Sequence, residues 1–441
     1  MTEAKPRSLL YEARFRSYWL GQTVSQLGDR VTELALPLIA VTMLAATPSQ
    51  VGLLTAAVWL PALVSLVVGS WVDHQQRKRR ILVIADLARA LVLVSLPVAY
   101  AFDAVTLGQL FAVALLTGLG SVYYNTAYAP VFVNLVPRES FMQANSLFSS
   151  TRSFSFIAGP AVGGALIQVL TAPIAVLVDA LSFVASAFLT ARIPMVEHKP
   201  QVDDDVSLWR RSIDGMTFLM RHRVLRASLA CCATGNFFAM VGSALLVLFA
   251  SRNLELSAGL IGTAFAVGAS GALVGAMLAP RLAGLFGVGT IIIVGAIVYP
   301  AGFAVAALAG GPTIVRMGLV AAAEFVTGVG VMLFDVNLNS LQACVTPDEL
   351  RSRVSGAFST VNYGVRPLGA VIGGVLGASL GIRPTLMLAA IGGALAFLWL
   401  MWSPIRRVHE LADLDAIDPY TGRPYADTSP SARITASRAV E

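Results

Sequence analysis

Residues 81–101 read ILVIADLARALVLVSLPVAYA, and the four residues before them, 77–80, read RKRR. A helix needs about 20 mostly apolar residues to cross the hydrocarbon core of a bilayer, and this run has that length and composition. A basic cluster beside such a run is typical of a loop on the cytosolic side of a membrane. The pattern predicts a membrane-spanning helix that begins at the cytosolic surface.

Eleven further apolar runs have a similar length, so we expect an all-α membrane protein with twelve transmembrane helices. The bilayer offers no partners for backbone N–H and C=O groups, and a helix satisfies them within one segment. A closed barrel would instead need short segments of alternating hydrophobicity. The predicted spans are 17–45, 51–72, 81–101, 107–128, 143–169, 173–193, 227–250, 257–280, 288–309, 313–335, 354–379 and 384–403.

The composition and the charge distribution agree with this class. Hydrophobic residues make up 56% of the chain and charged residues 13%, against roughly 25% charged residues in soluble domains. The net charge of +6 does not indicate nucleic-acid binding, because the basic residues lie in short loops between apolar runs. With the N-terminus in the cytosol, 21 Lys and Arg up to residue 407 fall in cytosolic segments and three in outer loops. This asymmetry predicts a multi-pass protein of the inner (plasma) membrane with both termini cytosolic.

The two halves of the chain show the same pattern after a shift of 210 residues, which places the glycine pair 163–164 on the pair 373–374. Six-helix halves in the same orientation are a parallel repeat found in one large class of transporters, with the substrate site between the halves. We therefore predict a cytosolic N-terminus (1–16), an N-terminal six-helix bundle (17–193), a cytosolic linker with an amphipathic helix (194–226), a C-terminal six-helix bundle (227–403) and a cytosolic tail (404–441).

The loop after the second predicted span reads GSWVDHQQRK over residues 69–78. It resembles the signature G-x-x-x-D-R-x-G-R-K of the major facilitator superfamily, with His74 and Gln76 in place of the usual Arg and Gly. The resemblance extends along all twelve spans and implies two pseudo-repeated six-helix bundles. It also implies that the matching residues form a cytosolic gate. Asp86 and Arg89 lie just after the basic loop, on one face of the third helix, and we interpret them as structural partners of that gate. The matching residues are Gly69, Asp73, Arg77 and Lys78.

The fifth span carries SFIAGPAVGG over residues 155–164, which is similar to the antiporter signature G-x-x-x-G-P-x-x-G-G. The matching residues are Gly159, Pro160, Gly163 and Gly164. Small residues four apart let helices approach closely. This segment, together with YNTAYAP, VPRESFMQANSLF and RHRVLRA, resembles the drug:proton antiporter branch that contains macrolide-efflux and enterobactin-exporter proteins. The resemblance implies export of a small amphipathic molecule, such as a drug, an antibiotic or a siderophore, in exchange for protons by alternating access.

Ionisable side chains inside the predicted spans are the candidates for proton coupling, because a charge at the bilayer centre costs about 2.5–3.5 kcal/mol. Burial in a low-dielectric site favours the neutral form of an acid, so we expect Asp29 or Glu33 to exchange protons, with Glu324 as a second candidate. Arg152 is the expected counter-ion of the acids on the first helix. It would replace the fourth-helix Arg that the family's exporters often carry and that 107–128 lacks. A static packing network is the alternative interpretation.

Polar residues on the other helices are expected to line the substrate cavity. Some of them share one helix face, as Asn362 and Arg366 do at a spacing of four residues. The aromatic members have packing contacts as an alternative role, and Asp179 and Asp335 are weaker intramembrane candidates. The predicted cavity residues are Gln22, Gln26, Tyr123, Tyr124, Asn125, Tyr128, Asn145, Asn236, Asn362 and Arg366.

Neither catalytic residues nor a cofactor or metal site are predicted. None of the three lysines lies in a G-x-x-x-x-G-K-[ST] loop, and His409-Glu410 lacks the second His of H-E-x-x-H, so neither an ATP-driven pump nor a metalloenzyme is indicated. The expected partners are a small-molecule substrate, protons and membrane lipid, not nucleic acid, and the expected assembly is a monomer. Proton-coupled uptake on the same fold, and a non-transporting sensor or scaffold, stay open as alternatives.

Overall fold

The computed structural model describes residues 9–195, 208–347 and 350–416, and regular structure in these ranges is helical throughout. Within these ranges the structure does not describe the side chains of residues 66, 73, 138, 208–214, 352, 415 and 416. The helices of the first half are α1 (Ala13–Leu38), α2 (Pro48–Trp59), α3 (Ser65–His74), α4 (Lys78–Ala101), α5 (Leu107–Leu135), α6 (Phe141–Leu170) and α7 (Ala172–Ala191). The second half follows the connector α8 (Leu208–Arg221) and consists of α9 (Arg223–Leu248), α10 (Ala258–Phe286), α11 (Val288–Ala307), α12 (Thr313–Val345), α13 (Arg351–Gly364), α14 (Arg366–Ser379), α15 (Ile382–Ala394) and α16 (Phe397–Met401).

Nine of the predicted spans appear, within the described residues, as helices long and apolar enough to cross a membrane. The other three have local reasons for falling outside that criterion. The helix α1 carries the charged residues Asp29, Arg30 and Glu33. The second span is divided between α2 and α3 by the 3-10 stretch Leu60–Val64. The eleventh is divided into α13 and α14 next to Pro367, since proline cannot donate a backbone hydrogen bond within a helix.

The two halves repeat the same elements at a spacing of 210 residues. Helix α1 begins at Ala13 and α9 at Arg223, and each continues into a π-helical turn, Ile39–Met43 in the first half and Phe249–Asn253 in the second. The repeat predicted from the glycine pairs is therefore confirmed in the backbone. Helix α8 lies outside it, in the predicted linker.

The halves meet through pairs of glycines. Gly52 of α2 lies against Gly374 of α14, and a Cβ built on Gly52 would lie 2.7 Å from the Cα atom of Gly374. Gly164 of α6 lies against Gly262 of α10 in the same way, again with 2.7 Å between a built Cβ and the partner's Cα. These contacts leave no room for a side chain, so backbone packs directly on backbone. The two contacts are related by the same 210-residue shift.

The other glycines of the antiporter-like segment pack α6 against α1. A Cβ on Gly159 would lie 2.5 Å from the Cγ atom of Arg30, and a Cβ on Gly163 would lie 3.2 Å from the Cα atom of Val31. The carbonyl oxygen of Pro160 lies against Gly262 of the other half. The segment therefore brings three helices together around the middle of the molecule.

The turns between helices lie alternately at two ends of the bundle. One end, called the basic end, holds Arg77 to Arg80, the start of α9 and the start of α13. The opposite end holds the turns 44–47 and 254–257, and both glycine contacts lie nearer to it. Arg252 joins the halves there, because its Nη2 atom donates to the carbonyl oxygen of Val41 at 3.0 Å. The described structure is thus closed at the opposite end.

The connector and the tail both pack on the basic end of the second half. Leu219 of α8 is fully buried in a cluster with Val354 and Ala357 of α13. The N–H groups of the first two residues of α11 donate to the carbonyl oxygens of His409 and Val408, at 3.0 and 2.8 Å. The predicted N-terminus, linker and tail also include residues 1–8, 196–207 and 417–441, which lie outside the described residues.

Asp413 fixes the turn of the tail. Its Oδ2 atom accepts hydrogen bonds from the backbone N–H groups of His409 and Glu410, each at 2.8 Å. These two bonds favour the ionised carboxylate and lower the pKa of Asp413.

The substitution Gly262→Val is expected to destabilise the contact between the halves. A side chain has no space there, and overpacking a tight contact costs about 1–3 kcal/mol. The melting temperature of the purified protein in detergent should fall. Gly284→Val is the matched control, because Gly284 lies on the same helix and a Cβ there meets no atom within 4 Å. Equal melting temperatures for the two variants would contradict the contact.

Candidate functional site

A chamber lies between the halves and is closed at the opposite end by contacts between them. At the closed end, Ser49 Oγ donates to the carbonyl oxygen of Gly374 at 3.3 Å, and the N–H of Gly259 donates to Gln168 Oε1 at 3.3 Å. Each of these bonds joins one half to the other. Further toward the basic end, the described helices enclose a cavity of about 210 Å³ between the halves and another of about 470 Å³ in the second half.

The smaller cavity brings together ionisable side chains from both halves. Arg30 and Glu33 of α1 form an ion pair with 2.7 Å between Nη1 and Oε2, and Glu324 of α12 lines the same cavity. The Glu33 side chain is 60% exposed, and since it lines the cavity this exposure is to the chamber. Glu324 forms no hydrogen bond or ion pair with any described residue. The cavity thus holds one arginine and two carboxylates, one carboxylate from each half.

Arg152 does not provide the counter-ion that the sequence suggested. Its side chain is exposed on α6, one turn before Phe156, which lines the smaller cavity. No ion pair joins it to Asp29 or Glu33 among the described residues, and Glu33 is paired with Arg30 instead. The expected pairing is therefore corrected: an arginine three residues away on the same helix is closer than one on a neighbouring helix.

Asp86 and Arg89 form an ion pair inside the first half, with both side chains almost fully buried. The guanidinium carbon of Arg89 lies 3.9 Å from the ring centroid of Phe183 and 4.8 Å from that of Tyr124. The sequence suggested structural partners of the gate loop, but these contacts are with α5 and α7 in the middle of the bundle. The pair therefore holds three helices of the first half together.

Two more aspartates surround this arginine. Asp179 of α7 accepts hydrogen bonds from Thr32 and from Ser182, the latter at 3.1 Å. Asp29 lies within electrostatic range of Arg89 and of Asp179. We call Asp29, Asp86, Arg89 and Asp179 the Arg89 cluster. Sequence reasoning missed Thr32 and Ser182, because a hydroxyl in an apolar run carries no charge signal; only the three-residue spacing of Asp179 and Ser182 pointed to a contact.

The other predicted cavity residues of the first half lie mostly within the bundle. Gln22 donates to the hydroxyl of Tyr124, and both side chains are buried. Tyr128 stacks on Tyr18 with 5.8 Å between the ring centroids, as part of an aromatic cluster. Packing, the alternative role considered for these rings, is what the contacts show. Partly or fully exposed are Tyr123, Gln26, Asn125 and Asn145.

The predicted cavity residues of the second half come together. Arg366 Nη2 donates to Asn236 Oδ1 at 3.0 Å, and Asn236 Nδ2 donates to Asn362 Oδ1 at 2.8 Å. The guanidinium carbon lies close to two rings, 4.4 Å from the centroid of Trp59 and 4.5 Å from that of Tyr363. Trp59 belongs to the first half, so this stack also spans the chamber. Asp335 lines the same cavity.

The loop predicted to form the gate lies at the basic end. Helix α3 ends at His74 and α4 begins at Lys78, so Arg77 lies in the turn between them with an exposed side chain. Gly69 has space around it, because a Cβ there would lie 3.7 Å from the nearest side-chain atom. The Asp73 side chain lies outside the description, so the gate stays a prediction.

Removing Arg89, the only cation of the Arg89 cluster, should strongly destabilise the folded protein. Arg89→Met would leave buried carboxylates without a counter-charge, at a cost of about 3–5 kcal/mol, and the melting temperature should fall strongly. Arg192→Met is the matched control, since Arg192 also lies 3.9 Å from a phenylalanine ring but is exposed. A small effect of Arg89→Met, similar to that of the control, would show that the cluster is not a buried ionic network.

Solved structures of membrane transporters share this fold. A bacterial homologue of the iron transporter ferroportin in an inward-facing state matches with a TM-score of 0.71 and 15% identity, over 90% of this chain and 99% of that chain. An outward-facing state of such a homologue matches with a TM-score of 0.57 and 16% identity, over 88% and 98% of the two chains.

Sequence comparison identifies the family. The chain is 26% identical to the multidrug efflux pump Tap of Mycolicibacterium fortuitum over 342 residues, which are 74% of this chain and 80% of Tap. It is 25% identical over 374 residues to the uncharacterised transporter YfiS of Bacillus subtilis, with 82% and 86% of the chains covered. The profile of the family described as transmembrane secretion effector matches residues 5–429. The chain therefore belongs to this family of the major facilitator superfamily, whose members are membrane transporters and not enzymes.

Proposed function

We propose that the protein exports a small amphipathic molecule across the plasma membrane in exchange for protons, by alternating access. The observation that carries the proposal is the unpartnered Glu324, which lines the same cavity as the Arg30–Glu33 ion pair but belongs to the other half. A carboxylate without a partner is costly in a membrane protein, and such groups mark ion and proton pathways. A static scaffold would gain no function from this costly carboxylate.

The proposed orientation follows the positive-inside rule. With the basic end in the cytosol, both termini are cytosolic, and the chamber is open toward the cytosol and closed toward the outside. The glycine contacts Gly52–Gly374 and Gly164–Gly262 are then the outer closure. In the other state these contacts separate, and the gate residues Gly69, Asp73, Arg77 and Lys78 close the cytosolic side.

Coupling follows from the competition of two acids for one arginine. In the described state Arg30 pairs with Glu33. A proton that enters from outside and neutralises Glu33 releases Arg30, which is then free to pair with the ionised Glu324 across the chamber and to alter the balance between the two states. Asp29 in the Arg89 cluster is a second site for a proton. Arg152, exposed on α6, would add positive charge near the substrate path in this scheme.

Two observations favour export over uptake. The antiporter-like segment of α6 forms the contact with α10, so it lies at the surface that must separate in each cycle. The multidrug efflux pump Tap matches this chain over most of its length.

The membrane potential can drive such export. Each charge that moves with a membrane potential of 100 mV contributes about 2.3 kcal/mol, which supports an accumulation ratio of about 50-fold.

Glu324→Gln is expected to abolish gradient-driven export while leaving the protein folded. A strain that lacks the protein, compared with one that expresses it in a susceptibility screen, identifies an exported compound. Everted membrane vesicles then measure uptake of that compound driven by an inward-acid pH gradient. Uptake by the variant should fall at least about tenfold, since a glutamine carries no charge with which the released Arg30 can pair, and exchange of labelled for unlabelled compound without a gradient should be kept.

Glu255→Gln is the control for this experiment. Glu255 is 82% exposed and lies 3.9 Å from Arg316 at the opposite end, so its neutralisation should leave transport unchanged. Full gradient-driven transport by the Glu324 variant would overturn the coupling scheme. Transport in the reverse direction would establish an uptake symporter, and no flux of any compound would point to the sensor or scaffold alternative.

A further inference from the structure

The larger cavity, of about 470 Å³, lies within the second half rather than between the halves. Its walls come from α9, α11, α12, α13 and α15, together with Arg366 at the start of α14. It extends from Asn362 and Arg366 in the middle of the molecule toward Arg351 at the basic end. It is large enough for a small organic molecule, since ligand sites in proteins usually measure about 300–1,000 Å³.

The equivalent space in the first half is filled with aromatic rings. Phe148 packs edge-on against its neighbours with ring centroids 5.9 to 6.0 Å apart, and the two tyrosines of the cluster are stacked. The rings belong to Phe15, Tyr18, Tyr128, Phe132 and Phe148. The 210-residue shift places these positions on Leu225, Ser228, Leu338, Gln342 and Phe358.

In the second half, most of these positions carry side chains without rings, and this difference leaves the cavity open. Four of the five shifted positions line it, and only Phe358 keeps an aromatic ring. Protein interiors are close-packed, and unfilled volume destabilises a core. Two copies of one bundle that differ in this way indicate that the second copy keeps the space for a ligand.

The polar wall of the cavity presents donors without acceptors. The Nε atom of Arg366 and the Nε2 atom of Gln342 are buried and have no hydrogen-bond partner. Asn362 Oδ1 accepts from Asn236, which leaves the Nδ2 group of Asn362 as a donor without a partner among the described residues. Buried donors are nearly always paired in folded proteins. These side chains therefore have unused donor capacity, which a ligand with acceptor oxygen atoms would satisfy.

The surroundings of Arg366 select the kind of acceptor. The rings of Trp59 and Tyr363 lie against its guanidinium group, which limits the directions from which a ligand can reach it. Donors along the edge of a guanidinium group match the two oxygen atoms of a carboxylate in one plane. Asp335 lines the same cavity without an ion-pair contact to Arg366, and its charge disfavours a second acidic group on the ligand.

We propose that this cavity binds the exported molecule, and that the molecule is an amphiphile with a single carboxylate, held edge-on by Arg366 and assisted by Asn362. Its apolar part lies against Phe334 and Phe358, which line the same cavity. This site rests on the proposed export function, which it extends by naming a substrate class. The counter-ion exchange between Arg30, Glu33 and Glu324 takes place in the neighbouring cavity, and Val331 lines both.

The test uses two fluorescent probes that differ only in the acidic group, dansyl-glycine and dansyl-glycinamide, titrated into the full-length protein in detergent. Dansyl-glycine should bind at least about tenfold more tightly, as a charge-assisted bidentate contact provides. Arg366→Gln should remove this preference. Arg281→Gln is the control, because Arg281 is an exposed arginine on α10, outside both cavities, and should leave the preference intact. Equal binding of the two probes, or a preference that survives in Arg366→Gln, would overturn the site.

A second variant separates binding from folding. Gln342→Phe restores the ring found at the equivalent position 132, fills part of the cavity and removes a buried amide without a partner. It should raise the melting temperature and weaken dansyl-glycine binding about tenfold, the size of effect expected when a ligand's space is taken. Unchanged binding in this variant would place the probe elsewhere and reject the proposal. Gradient-driven export by a protein that does not bind dansyl-glycine would retain the export function and reject only this site.

Discussion

Direct backbone contact between the two halves is the constraint on which the rest of the structure depends. Gly52 with Gly374, and Gly164 with Gly262, let helices of opposite halves touch at one end. Helices of opposite halves that touch at one end diverge toward the other, and the chamber and the smaller cavity lie in the space that results. A pair of contacts made of backbone atoms, without interlocking side chains, is also one that can separate and re-form at low cost.

The two copies of the repeat place their polar groups differently. The first half buries the Arg89 cluster in its interior and fills the space next to it with aromatic rings, as expected for a rigid unit. The second half keeps its polar side chains on the wall of an open cavity, where Arg366 is held by stacking and one hydrogen bond. Between them, Arg30 and Glu324 face one cavity from the two halves. One half is thus closely packed, and the other keeps an open space lined by polar side chains.

The sequence predicts the helices well and the pairings poorly. Apolar runs identify the spans because the bilayer demands continuous helix, and the shift of Gly163 and Gly164 reveals the repeat. The same shift relates Gly52 to Gly262, so the sequence also carries the pattern of the second contact between the halves. The three-residue spacing of Arg30 and Glu33 already favours their pairing on one helix, whereas the position of Arg152 depends on how α6 is rotated relative to α1. Hydroxyl groups such as that of Thr32 carry no charge, so no charge pattern in the sequence points to them. The cavity of the second half depends on small side chains at particular positions, and the pattern of polar residues does not reveal these.

The folded-back tail has a consequence for handling the protein. The carbonyl oxygens of Val408 and His409 are the acceptors for the first two amide groups of α11, and Asp413 holds that turn in place. A truncation at the end of the last span would leave these amides at a helix start without partners. Affinity tags and fluorescent fusions therefore belong after residue 416, so that the segment which seals the start of α11 is kept whole.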